Sequence, residues 1–216
     1  MNRIHLSGFN CGSEKSVGAS IRYLHTWIQK NGAKKSVDPG EKPLETNENA
    51  IFSVESGAWR LLIGDQKVIS IIGPGGILML DHQPPGYRGP SNQYEILSRS
   101  TYYELPMKYI HLAADNKELL KGIFDFMAWN TSNISSKWLN QCVGDSYTEV
   151  KSALEWMNAL PDLIRAKFTA IAFITDTTGV SRSHALSIMK SLKLGGYIEM
   201  EGGHLIKIIK KLPSGY

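Results

Sequence analysis

Apolar residues recur along this chain at two spacings, and the changes between them mark out its parts. Over residues 20–31, Ile21, Leu24 and Ile28 return at helical intervals, which predicts an amphipathic helix with those three inward and Gly32 just past its end. The small, polar residues before about Gly12 are expected to fray. Residues 37–50, rich in Pro, Gly and acidic side chains, read as mostly loop. Short apolar runs then follow at 51–55, 59–63, 67–72, 77–80, 94–98 and 101–105. Ser56-Gly57, Gly64-Asp65-Gln66 and Gly73-Pro74-Gly75-Gly76 separate the first four. Strands this short and close predict an antiparallel sandwich or jelly roll.

Helical spacing returns at Pro106. After a short helix, residues 116–143 read as one long helix, with Leu120, Ile123, Phe124, Met127, Ile134, Trp138 and Cys142 on a stripe too apolar for a free surface. Residues 130–133 are poor helix formers and mark a place for a kink or break. The region of Trp129 and Trp138 reads as dimer core. Gly144-Asp145-Ser146 is a boundary, and Ser146 with Glu149 reads as a capping box opening a helix over 147–159.

From residue 161 the pattern shortens. Residues 169–178 make a short helix, Gly179-Val180 a turn, and residues 181–193 a second helix stopped by Gly195-Gly196. Residues 197–200 and 204–209 flank Gly202-Gly203 as a two-stranded ribbon, in which Ile206 and Ile208 alternate with Lys207. Ser181 is the predicted N-cap of the second helix, with Val180 and Ala185 placed as a hydrophobic staple. Ala185, Ile188, Met189 and Leu192 should face the core. Arg182, Ser183, Ser187, Lys190 and Lys193 then fall on or near the outer side, with His184 at the border. Helix, turn, capped helix, paired glycines and hairpin, in that order, read as a winged helix-turn-helix, which presents one helix face to the DNA major groove. The fold class is therefore α+β. An N-terminal helix and jelly roll occupy 1–115, a connecting and dimerisation helix 116–143, and the winged helix-turn-helix 144–216.

Charge agrees with that reading. Residues 161–216 hold eight Lys/Arg against four Asp/Glu, whereas the rest of the chain holds sixteen of each. The whole positive excess lies on the module that would meet a polyanion, with salt-dependent affinity. Apolar residues make up 42% and charged residues 20% of the chain, as in globular proteins. No apolar run approaches the ~20 residues that cross a bilayer, and the first residues lack a secretory stretch. The cytoplasm is the expected location, with no membrane partner. Cys11 and Cys142 stand far apart, which points to no disulfide framework or cysteine-held metal. The six histidines are scattered, and Asp81-His82 is too little for the metal set of a jelly-roll enzyme. No catalysis, metal or other cofactor is expected.

Three stretches carry a resemblance: Val180-Ser181-Arg182-Ser183, Gly196-Tyr197-Ile198-Glu199-Met200 and Leu212-Pro213-Ser214-Gly215-Tyr216. With Gly64-Asp65-Gln66-Lys67, Glu155-Trp156-Met157 and the order of elements, the chain resembles the CRP/FNR superfamily of bacterial transcription regulators. Within it, the chain is most similar to the enterobacterial IprA (inhibitor of hydrogen peroxide resistance) group. The resemblance implies a homodimeric, sequence-specific regulator of double-stranded DNA, paired along the long helix, with a looser link to stress or virulence genes and to RNA polymerase as a partner. Members that bind cyclic nucleotides hold the phosphate with a Gly-Glu pair and a later Arg-Ser. Here Ile77 stands at the Glu position and Arg88 is followed by Gly89-Pro90, so an unpaired phosphate would be costly to bury and nucleotide binding is not expected. Two distant cysteines also cannot hold the iron–sulfur cluster of the oxygen-sensing members.

Seven residues are candidates for DNA contact. Arg182 suits a bidentate contact to guanine or a phosphate contact. Ser181 is a cap first and a phosphate ligand second. Ser183 and Ser187 stand against bases or phosphate, His184 either packs near the turn or meets DNA, and Lys190 and Lys207 stand against phosphate. Two alternatives remain open: a regulator gated by a small molecule in the barrel, and a winged helix that binds protein rather than DNA.

Overall fold

The computed structural model describes residues 15–41, 50–63, 67–79 and 92–215. Expectations for residues 1–14, for the turn at 64–66 and for the segment holding Asp81, His82 and Arg88 lie outside the described residues, as do the side chains of Trp138 and Cys142. The chain divides into two compact units, Met1–Ser132 and Asn133–Tyr216.

The first unit opens with α1, Lys15–Asn31, in which Ile21, Leu24 and Ile28 are fully buried as their spacing predicts. Its sheet is antiparallel: β1 (Ala33–Val37), β2 (Ala50–Ile63), β3 (Lys67–Ile72), β4 (Ile77–Met79) and β5 (Asn92–Pro106). The order is β1-β5-β2-β3, and β4 also pairs with β2.

β1 occupies residues to which the pattern assigns no element, and it meets the expected loop only at Val37. Its residues Ala-Lys-Lys-Ser-Val carry only one buried side chain, Val37, so no apolar alternation announces it. It is an edge strand tied to β5 by a Lys35–Glu104 ion pair and to β2 beyond it by Lys34–Glu55, each 2.7 Å, and lysines suit a sheet edge because they discourage further pairing.

The runs at 51–55 and 59–63 are one strand, not two. Ser56-Gly57 does not reverse the chain; it slips the register of β2 against β5 between Val54 and Ser56, Ser56 and Ala58, and Ala58 and Trp59. Side chains alternate between faces along a regular strand. Accordingly Ile51 packs with α1, while Phe52 and Val54 enter a second core on the opposite face. An uninterrupted strand would send Trp59 to the side of Ile51, but the slip shifts the alternation and Trp59 joins Phe52, Val54 and Tyr102. Trp59 meets Tyr102 edge-on at 5.0 Å, and burial pushes the Tyr102 hydroxyl pKa up to about 12. The runs at 94–98 and 101–105 likewise merge into β5, which pairs with β2 along its length.

A 3-10 helix, Met107–Asp115, leads to α2, Lys117–Val143. Asn116 caps α2 by accepting from the Leu119 N–H at 3.0 Å. The helix runs unbroken through residues 130–133, because each poor helix former costs only tenths of a kcal/mol within an established ladder. Trp129, partly buried, packs against the core of its own unit and stacks on Phe126 at 6.5 Å.

The second unit holds α3 (Ser146–Ala159), α4 (Asp162–Arg165), α5 (Ala170–Thr177), α6 (Arg182–Leu194), β6 (Ile198–Glu201) and β7 (His204–Ile208). Asp145, not Ser146, caps α3: its side chain accepts from the Thr148 N–H at 2.8 Å. That N–H holds the Asp145 carboxyl below the usual carboxylate range. The capping contribution is therefore present above the unfolded pKa and fades as pH falls through the folded one. Among the described residues, no helix is long and apolar enough to cross a membrane.

Gly57 gives the sheet its first test. It sits at φ +91°, and a Cβ there would overlap the Ser100 side chain and lie 2.7 Å from the Arg99 carbonyl. Gly40 has φ +87° with nothing within 4 Å of such a Cβ. Gly57→Ala should destabilise by about 1–3 kcal/mol more than Gly40→Ala, read as a difference in thermal midpoint. Equal midpoints would show that the bulge tolerates a side chain.

Candidate nucleic-acid interface

The candidate interface is built around one helix, α6, and the turn that presents it. Thr169 caps α5, accepting from the Ala172 N–H at 3.3 Å. At the other end Thr178 is buried; its hydroxyl donates to the Ile174 carbonyl at 2.7 Å and accepts from the Val180 N–H at 3.2 Å. Glu149, the residue expected in a capping box, instead reaches from α3 and accepts from the Gly179 N–H at 2.9 Å. Ser181 caps α6 as expected, accepting from the His184 N–H at 3.4 Å. Each backbone donor from Gly179 to Val180 therefore has an acceptor, and the turn has little freedom to rearrange.

Ala185, Ile188, Met189 and Leu192 are all buried, together with Val180. Trp156 of α3 meets Phe173 of α5 at 5.0 Å, and Phe168 meets the same ring at 5.6 Å. The stripe that the spacing assigns to the core is the stripe that enters it. The opposite side is left open: Ser181, Arg182, Ser183, His184, Ser187, Lys190 and Lys193 are all exposed. His184, placed at the border by its sequence position, is on the open side. Among the described residues, Arg182, Lys190 and Lys193 have no acidic partner.

Leu186 is also exposed on this helix, at 46%. Sequence reasoning passes over it because an apolar residue is by default assigned inward. The signal was present, since Leu186 stands outside the 185/188/189/192 repeat.

The ribbon formed by β6 and β7 is fastened to the helices. Gly202 and Gly203 have φ of 55° and 86°, as a two-residue hairpin turn of left-handed residues requires. The Gly203 carbonyl accepts from the Ala170 N–H at 2.8 Å, and His204 Nδ1 lies 2.9 Å from the Phe168 carbonyl, so Nδ1 carries the proton. The Ile208 N–H donates to Asn158 at 2.9 Å. The expected alternation of Ile206 with Lys207 is corrected here: Leu205 is the buried residue, whereas Ile206 is 37% exposed. A register slip between Glu199 and Met200 turns Leu205 inward beside Ile198. Lys207 pairs across the ribbon with Glu199 at 3.1 Å. Behind the ribbon the Pro213 carbonyl accepts from Tyr147 and Lys151 at 3.0 and 2.9 Å, which returns the end of the chain to α3.

In the first unit, Ile77 is buried in the core with Ile21, Leu24 and Leu119.

Fold and site together define a chain of CRP/FNR architecture that carries a winged helix-turn-helix. Residues 146–214 match the family described as winged helix-turn-helix DNA binding. Over 158 residues the chain is 27% identical to the Escherichia coli K12 protein named inhibitor of hydrogen peroxide resistance, covering 72% of each. Among solved structures it is similar to FixK2 from Bradyrhizobium japonicum, with a TM-score of 0.67 and 15% identity over 83% of this chain and 93% of that one. A putative transcriptional regulator of the crp/fnr family from Eubacterium rectale matches with a TM-score of 0.58 and 14% identity over 94% of both chains.

Glu149→Ala should cost about 1 kcal/mol in denaturant unfolding by leaving the Gly179 N–H without its acceptor. Glu149→Gln, which keeps an oxygen acceptor, should recover most of the loss. A fully stable Glu149→Ala would show that the turn holds without this bond.

Proposed function

We propose that the protein is a homodimeric, sequence-specific transcriptional regulator that lays α6 in the DNA major groove. The observation carrying this reading is the division of α6 itself. Every apolar residue of its periodic stripe is buried, while Arg182, Ser183, His184, Ser187 and Lys190 stand exposed. Arg182, in the first turn, takes a guanine edge. Ser181, Ser183 and Ser187 meet phosphate or base edges, Lys190 meets the backbone, and the ribbon bearing Lys207 flanks the groove. His184 sits at the edge of this contact. The reaction is binding rather than catalysis, and it takes place on the chromosome in the cytoplasm. The name of the Escherichia coli relative favours genes of the oxidative-stress response as targets.

Dimer formation has its own support. In α2, Leu119 and Phe126 are buried in the first unit's core, with Leu120, Ile123 and Trp129 packed against it. Phe124 and Met127, on the same helix, are 68% and 53% exposed. Two large apolar side chains a turn apart on a free surface suit burial against a second copy of the helix.

Two measurements test the reading. Arg182→Ala should weaken binding to duplexes captured from genomic DNA by tenfold or more, and binding to random DNA by about twofold or less. Equal losses would reduce Arg182 to a phosphate anchor, and the absence of both specific retention and salt dependence would favour a protein-binding winged helix. Met127→Glu should shift the sedimentation profile from dimer to monomer; an unchanged profile would place the dimer contact elsewhere.

A further inference from the structure

The open face of α6 is not wholly polar. Leu186 lies one helical turn from Arg182 on one side and from Lys190 on the other, and one turn beyond Ser183. It is 46% exposed, although Ala185, Ile188, Met189 and Leu192 already supply the core from the same helix. The side chain falls on the face of α6 that the core does not use. Leu194, at 79% exposure, is also outward but sits in the last turn, whereas base contacts come from the N-terminal part of a recognition helix.

An isobutyl group neither donates nor accepts a hydrogen bond. In the major groove only one base edge presents an apolar group, the C5-methyl of thymine; the others present amino groups, carbonyl oxygens and N7. Leucine set against those polar atoms would strip their water and return no partner. Ser183 and Ser187 beside it are adaptable hydroxyls that impose little choice of base. We propose that Leu186 is a specificity-determining residue that selects thymine by contact with its C5-methyl, partly through that contact and partly by rejecting polar base edges. The inference rests on α6 being the recognition helix, and it names what one position of that helix reads.

The test begins with the intact protein and a random duplex library, from which bound sequences are enriched. Each thymine of the enriched sequence is then replaced by deoxyuridine, which removes the methyl and preserves base pairing. One thymine in each half-site should show about a fourfold loss of affinity, the worth of one buried methyl. Leu186→Ala should bind the thymine and deoxyuridine duplexes equally at that position. The inference is overturned if every deoxyuridine duplex binds as tightly as its parent, or if Leu186→Ala keeps the sensitivity, which would assign the methyl contact to another residue. Failure to enrich any sequence would overturn the recognition-helix reading as well, and so is distinct from the other two results. The deoxyuridine series on the unaltered protein decides the matter even if the variant folds poorly.

Discussion

The free face of α6 depends on the burial of its other side. Ala185, Ile188, Met189 and Leu192 fix the helix about its own axis, so which side chains meet solvent is decided in the core. A rotation that exposed one of these would cost about 1.5–3 kcal/mol for a residue the size of leucine. The turn before α6 adds a second constraint. Thr178 satisfies two backbone groups from a buried position, and Glu149 satisfies a third from another helix. Core and turn together make α6 a preorganised surface, and a preorganised surface loses less conformational freedom on binding.

Much of the second unit was legible in the sequence because its signals are local. Ser181 as N-cap, the 185/188/189/192 stripe and Gly202-Gly203 as a hairpin turn each need only a few neighbouring residues to be recognised, and the structure shows all three. The capping of α3 was misread because Ser146 and Glu149 satisfy the pattern, yet Asp145 offers a charged acceptor one residue earlier and Glu149 is needed elsewhere. The use of Glu149 depends on a residue thirty positions away and leaves no mark in its own neighbourhood.

The first unit was legible in class but not in connectivity. Ser56-Gly57 looks like a turn, and only the pairing of β2 with β5 on both sides of it reveals a bulge. Its consequence is long-range: Phe52 and Trp59 reach the same core although their separation in sequence is odd. β1 escaped notice because an edge strand with one buried residue has almost no hydrophobic pattern. Among the candidate residues, helical phase and residue type agree for Arg182, Ser183, Ser187 and Lys190, whereas for Leu186 phase points outward and residue type inward, and residue type prevailed.

The central claim is that the exposed side of α6 occupies a major groove. Dimethyl sulfate protection reads that directly, because the reagent methylates guanine N7 on the major-groove edge. With the dimer bound to its enriched sequence, guanines should be protected in two clusters about one helical turn apart. Undiminished methylation at every guanine within a sequence the protein demonstrably holds would contradict the account.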